Sequence, residues 1–253
     1  MNDSPRIPVL LDTDIGSDID DAIALAYLLG QERCELVGVT TVSGEVDQRA
    51  ACADAVCLAA GRPEIPIYTG LSEPLGPGPG QPHVPHYGAI AGRVKDRTYE
   101  PGAVDFMREM IHSRPGEIVL LSIGPFTSIA ALFAIDPEIP GLLGGYVSMG
   151  GTFPDAPVPD WNPLVDPVAA CIAYHLAPAG HVSIGLDVTR QCRISAEQAR
   201  ADFDSRELFP VLEMAEVWLE EHDEITLHDP LAAAVIFAPD LCTYATGDVR
   251  VVL

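Results

Sequence analysis

The sequence predicts an α/β fold: one domain over residues 1–253, built as an open, mostly parallel sheet flanked by helices. Three observations carry that expectation. Short apolar, β-branched runs alternate with stretches of helix formers, the rhythm of strand–helix–strand crossovers. The run at 118–123, Ile-Val-Leu-Leu-Ser-Ile, is almost unbroken in its apolarity, as in a central parallel strand covered on both faces. Hydrophobic residues make up 48% of the 253, enough for a full core and too many for disorder.

The elements follow in order. Residues 7–11 form a first strand and 22–29 a helix of strong helix formers. Residues 35–44 make a second strand ending in the Ser43-Gly44 turn, and 45–60 a helix with Ala51, Ala55 and Val56 on its apolar side. A third strand spans 66–70. Proline and glycine recur too often over 74–92 for regular structure, and a loop of that length in a compact domain reads as a lid. A helix at 103–113 leads to the strand at 118–123, and Gly124 turns the chain into another helix. A strand at 142–149 closes on Met149-Gly150-Gly151 and is followed by a proline-rich loop over 154–162. Asp166-Pro167 precedes a helix at 168–175, and 181–189 reads as a further strand. Ser195 N-caps a helix with Gln198 three residues on, and a second late helix runs over 211–222.

Composition narrows the function. The formal net charge of −23 repels phosphate backbones and anionic lipid, so neither nucleic acid nor a membrane surface is an expected partner, whereas a neutral substrate meets no such barrier. Six cysteines without a Cys-x-x-Cys read as buried, reduced thiols. The short polar start, residues 1–6, carries no apolar signal region, and no later run is long enough to span a bilayer, so a cytoplasmic enzyme is expected.

The informative stretch is Asp12-Thr13-Asp14-Ile15-Gly16-Ser17-Asp18-Ile19-Asp20-Asp21-Ala22. It places five aspartates between a first strand and a first helix, at the carboxyl edge of the sheet where open α/β folds bind ligands. Crowded carboxylates repel one another unless a cation neutralises them, and oxygen donors suit a hard divalent ion, Ca²⁺ or Mg²⁺. An Asp-x-Asp after a strand also suits a Mg²⁺-dependent phosphatase of the haloacid-dehalogenase type, with Asp12 as nucleophile and Asp14 as acid/base. That reading lacks a well-placed lysine, since the sole lysine, Lys95, sits beside the Pro/Gly-rich loop, and it leaves His228-Asp229-Pro230 unused. A non-catalytic Ca²⁺- or sugar-binding protein is the third reading.

The stretch resembles the opening Asp-x-Asp-Pro-Gly-x-Asp-Asp-Ala motif of the inosine-uridine-type nucleoside hydrolases. It is two residues longer here, with Ile15 where proline is usual. The resemblance continues in His86-Tyr87-Gly88 of the long loop, in Gly124-Pro125-Phe126-Thr127, in Met149-Gly150-Gly151 followed by Asp160-Trp161-Asn162, in Gly185-Leu186-Asp187-Val188-Thr189, and in His228-Asp229-Pro230 opening a late helix. Asp160 stands where glutamate is usual and Glu45 where many members have asparagine. The family usually continues beyond the point where this chain ends, so a missing C-terminal element is expected.

The resemblance implies a Rossmann-like nucleoside hydrolase fold, Ca²⁺ as cofactor, a nucleoside or related N-riboside as substrate, a homodimer or homotetramer, and a place in purine or pyrimidine salvage. It implies Asp14, Asp21, Asp229 and the Ile123 carbonyl as metal ligands, with Asp14 also the general base and His228 the group that assists the leaving base. Asp20 and Asn162 are implied at the ribose hydroxyls, with Asp160, Trp161, Met149, His86 and Glu45 also at the substrate, and Asp12 in support. The chemistry fits these residue types. An oxocarbenium-like transition state needs a deprotonated water, carboxylates facing the positive charge that develops on the sugar, and relief of the negative charge that develops on the leaving base.

Overall fold

Seven parallel strands lie in the order β4-β3-β2-β1-β5-β6-β7. The structure is a computed structural model and describes residues 5–153 and 158–251. The expected polar start and the first part of the 154–162 loop fall partly outside those residues.

In chain order the first elements are β1 (Ile7–Thr13), α1 (Asp20–Gly30), β2 (Cys34–Thr41), α2 (Val46–Ala59), β3 (Ile67–Thr69), α3 (Tyr87–Ile90), β4 (Glu100–Pro101) and α4 (Ala103–Ser113). Then come β5 (Val119–Ser122), α5 (Thr127–Ile135), α6 (Ile139–Leu142), β6 (Gly145–Met149), α7 (Trp161–Val165) and α8 (Pro167–Leu176). The chain continues with β7 (Val182–Ile184), α9 (Leu186–Thr189), β8 (Arg193–Ser195), α10 (Ala196–Asp202), α11 (Phe209–Leu219), β9 (Glu224–Thr226) and α12 (His228–Ala234). β8 and β9 pair antiparallel outside the main sheet.

Alternation along β1 divides the core between the two faces. Val9 and Leu11 pack into one buried cluster with α1 and α2 residues, while Leu10 joins the other with Met107, Phe126 and Phe133. At the carboxyl ends the register is polar: Asp12 lies beside Thr40 and Ser122, Ser122 beside Ser148, and Ser148 beside Ser183. Strand order reverses between β1 and β5, so the loops leaving these two strands part and open a crevice, the place where doubly wound sheets take ligands.

The structure revises several expected elements. The long loop is interrupted by α3. The expected strand over 181–189 is strand only for Val182–Ile184, and Leu186–Thr189 is a helical turn. Trp161–Val165 is a short helix rather than loop, and Leu142 ends α6 instead of starting β6. Cys34, Cys52 and Cys57 are buried free thiols as expected, but Cys171 is exposed on α8. Ser195 does cap α10, accepting from Gln198 N. Among the described residues no helix is long and apolar enough to cross a membrane.

Candidate active site

A cavity of about 320 Å³ opens at the β1/β5 divide. Its walls carry Asp14, Asp18, Asp20, Asp21, Asp160 and Asp229, with the Trp161 and Trp218 rings on its sides. The acidic residues come from the two ends of the chain. Asp20 and Asp21 occupy the first turn of α1, and Asp229 the first turn of α12. The two helices meet at their N-termini, where the backbone N–H of Asp229 donates to Asp20 Oδ2 at 3.0 Å. Both termini thus turn their positive dipole ends toward the carboxylates.

Asp20, Asp21 and Asp229 each present an oxygen within 4.8 Å of the others, and all three are buried. Among the described residues no lysine, arginine or histidine forms a salt bridge with them; their polar partners include the Asp229 N–H and the Thr13 hydroxyl, which donates to Asp21 Oδ1. Burial, reinforced by repulsion from neighbouring aspartates, Asp14 and Asp18 among them, pushes all three well above the usual carboxylate range. Asp14 is raised mainly by burial, against the pull of the Arg49 guanidinium. Burial also raises Asp18 to about 6 and Asp160 to about 7. Carboxylates held this far from their preferred charge, with only oxygen donors around them, fit a hard divalent cation.

Asn162 organises the opposite wall. Asp160 caps α7 by accepting from Asn162 N at 2.9 Å, which fixes the amide so that its Nδ2 donates to the carbonyls of Ile123 (2.7 Å) and Met149 (3.2 Å). Asp160 Oδ2 is buried without a partner. His228 packs at the mouth with Nδ1 at 2.7 Å from Thr189 Oγ1, and burial, followed by Arg190 and Arg193, lowers its pKa to about 4. Asp166 is a buried hub: it caps α8 through Ala169 N and accepts from Leu75 N and Thr127 Oγ1.

Asp14, Asp20, Asp21, Ile123, Met149, Asp160, Trp161, Asn162, His228 and Asp229 therefore share one cavity. The close carboxylate triple contains Asp20 rather than Asp14, which lines the same cavity. Two expected substrate residues lie elsewhere. Glu45 is exposed, because it precedes α2 with a non-helical ψ of 70° and its side chain does not follow the helix face. His86 is buried, outside the cavity lining, and held by its N–H to the Gly16 carbonyl at 3.1 Å. Asp12 is fully buried, accepts from Thr40 Oγ1 at 2.6 Å and does not line the cavity, so it is no accessible phosphatase nucleophile.

Four cavity residues and one buried neighbour are not among the site residues the sequence points to. Ser17, Gln81, Leu186 and Trp218 line the cavity. Arg49 lies behind it; an arginine in an alanine-rich helix looks like a solvated charge, and nothing local marks its burial.

The chain matches the family model described as inosine-uridine preferring nucleoside hydrolase over residues 9–253. It is 28% identical to uridine nucleosidase 1 of Arabidopsis thaliana, over 96% of this chain and 77% of that protein. Among solved structures it is similar to a plant nucleoside hydrolase (TM-score 0.83, 27% identity, 97% and 83% of the two chains). It is also similar to the purine-preferring ribonucleoside hydrolase of Gardnerella vaginalis (TM-score 0.80, 30% identity, 96% and 84%).

Proposed function

The chain belongs to the inosine-uridine preferring nucleoside hydrolase family and is a nucleoside N-glycosyl hydrolase; from that premise we propose a calcium-dependent reaction in which Asp14 is the general base. The observation that carries the proposal is the buried Asp20–Asp21–Asp229 triple beside Asp14 at the strand-order reversal. The triple, with Asp14 and the Ile123 carbonyl of the same cavity, would hold the ion. Carboxylate and carbonyl oxygens in a flexible arrangement suit Ca²⁺ better than Mg²⁺, which demands near-ideal octahedral geometry. When bound, the ion supplies Lewis-acid chemistry, lowering the pKa of water and gripping sugar hydroxyls.

The protein's own groups do the rest. Asp14 takes the proton of the water that attacks the anomeric carbon as the bond to the base nitrogen breaks. The carboxylates face the positive charge that develops on the ribose ring. Asp20 and the unpartnered Asp160 Oδ2 accept from ribose hydroxyls, and Asn162 fixes the wall against which the sugar rests. Trp161 and Trp218 offer flat surfaces to the base. His228 has Nδ1 engaged with Thr189; with Nε2 protonated, the neutral ring donates a hydrogen bond that stabilises the negative charge gathering on the departing base, which takes its proton from water and leaves the ring neutral.

The test is release of free ribose and base from a panel of purine and pyrimidine nucleosides, with calcium and after chelation. Calcium-dependent turnover, lost in Asp14→Asn with the cation still bound, is expected. Full activity in chelator, or in Asp14→Asn, overturns the proposal.

A further inference from the structure

Arg49 lies at the meeting of three loops. Its side chain has no exposed surface, and among the described residues no other arginine or lysine is buried. Its hydrogen-bond acceptors are carbonyls and a hydroxyl. Nε donates to the Ser43 carbonyl at 2.6 Å, in the β2–α2 turn. Nη1 donates to the Asp14 carbonyl, to that of Ile15 at 3.3 Å and to Ser17 Oγ at 3.0 Å, in the β1–α1 loop. Nη2 donates to the carbonyls of Gln81 (3.0 Å) and His83 (3.5 Å), in the Pro/Gly-rich loop. A desolvated guanidinium is tolerated only when its fork of donors is satisfied, so this geometry fixes all three loops at once.

The two turns beneath the long loop are shaped to receive it. Gly16 (φ +113°) and Gly44 (φ +64°) adopt backbone conformations that favour glycine. A Cβ on Gly16 would stand 2.4 Å from Val84 Cγ1, and one on Gly44 2.2 Å from the Gln81 carbonyl oxygen. Ser43 holds a positive φ of 73° without being glycine, and its carbonyl is the one Arg49 Nε grips.

Gln81 carries this anchoring into the cavity. Its Oε1 accepts from Trp161 Nε1 at 2.7 Å, and its side chain lines the cavity with Asp14, whose charged form it favours. We propose that Arg49 and Gln81 are positioning residues for the hydrolysis: Arg49 seats the Pro/Gly-rich loop, and the Gln81 side chain so placed orients the Asp14 carboxylate and the Trp161 indole. The proposal rests on the reading of Asp14 as general base. It accounts for a buried charge that, among the described residues, forms no salt bridge, and for the Pro/Gly-rich loop lying fixed against the β1–α1 and β2–α2 turns.

The experiment compares Arg49→Met, Arg49→Lys, Gln81→Ala and Arg49→Met/Gln81→Ala with the wild-type enzyme in calcium, using a nucleoside that the wild type hydrolyses. Each single variant is expected to lose about 10–100-fold in kcat with a smaller rise in KM, the range typical when the partner that orients an active group is removed. The double variant should lose little more than Arg49→Met, because one residue acts through the other. Limited proteolysis within 74–83 should speed at least tenfold in Arg49→Met and stay near wild type in Gln81→Ala. Arg49→Lys should not restore kcat, since a point charge cannot fork to three loops. Should Arg49→Met fail to fold, Gln81→Ala alone decides: wild-type kcat overturns the proposal. Losses that multiply in the double variant, or unchanged loop protection in Arg49→Met, also overturn it. Activity surviving in Asp14→Asn would instead overturn the base assignment; an inactive Asp14→Asn beside a fully active Gln81→Ala would overturn only the positioning.

Discussion

Replacing Asp229 by asparagine should stabilise the protein without divalent cation and destabilise it, relative to wild type, with calcium. Three carboxylate oxygens lie within 4.8 Å of one another. At that separation and an effective dielectric of about 20, each like-charge pair costs about 3.5 kcal/mol. Asp229→Asn removes two of the three pairs and keeps the backbone N–H that bonds Asp20. The full cost is not realised, because the buried carboxyls take up protons instead. Their folded pKa values lie above the unfolded 3.8, so the cation-free protein has its full stability below that value and loses it as pH rises through the folded values. A gain of about 1–3 kcal/mol for the variant at pH 8 in chelator follows, or roughly 2–12 °C in Tm for a chain of this size. Calcium at a thousandfold excess over Kd adds about 4.1 kcal/mol to the wild type, roughly 8–16 °C, and little to the variant. Scanning calorimetry at pH 8, in chelator and then in excess calcium, reads both signs. A variant no more stable than wild type in chelator, with the whole calcium shift retained, would refute the electrostatic reasoning and the metal site together.

Three further outcomes follow from the same geometry. Asp166→Asn weakens acceptance from Leu75 N, Thr127 Oγ1 and Ala169 N and should cost about 1–3 kcal/mol, read as a lower midpoint in urea unfolding; an unchanged midpoint would mean the hub carries no stability. Trp161→Ala should raise KM by about tenfold or more with a smaller change in kcat, since a stacked base is worth about 1–3 kcal/mol; steady-state kinetics on the preferred nucleoside checks it, and an unmoved KM removes the indole from the base site. Asp136 is held near 2 by His112 first and Arg108 next, so its contribution is present above the unfolded 3.8 and lost as pH falls toward 2. His112→Ala with Arg108→Ala should therefore flatten the acid limb of the stability curve below pH 4, measured by circular dichroism; an unaltered limb would contradict that assignment.

The layout of the sheet was legible because parallel strands are buried on both faces and read as unbroken apolar runs, as at 118–123 and 7–11. Its short elements were not. Tyr87–Ile90, Trp161–Val165 and Leu186–Thr189 are about one turn each, too brief for a 3.6-residue period to repeat. Arg193–Ser195 and Glu224–Thr226 pair only with each other, across a separation no local pattern encodes. The acidic residues of the cavity could be read because aspartates crowded after a first strand repel one another unless a cation sits among them. Arg49 and Gln81 could not, since their partners are backbone carbonyls and side chains of distant loops that composition does not mark. His86 was misplaced for the converse reason: the residue type suits the chemistry, but its backbone is tied to Gly16 and its ring packs inside.

The turn that precedes Glu45 and the loop that carries Asp18 are held by one guanidinium. The β1–α1 loop is two residues longer than the family motif, and the cavity wall gains Ser17 and Asp18 from it. Arg49 donates to Ser17 Oγ and to the Asp14 and Ile15 carbonyls, so the longer loop is tied down by the helix that follows Glu45. That helix starts with Glu45 turned to solvent, and its first inward polar group is the guanidinium four residues on. Glu45 turned to solvent brings no acid to the cavity from the β2–α2 turn, the β1–α1 loop brings Asp18, and the guanidinium between them bonds carbonyls of both. The acidity of the cavity thus comes from the β1–α1 loop with Asp160 and Asp229, and Glu45, matched by position to a residue at the substrate, stands exposed and adds nothing to the lining.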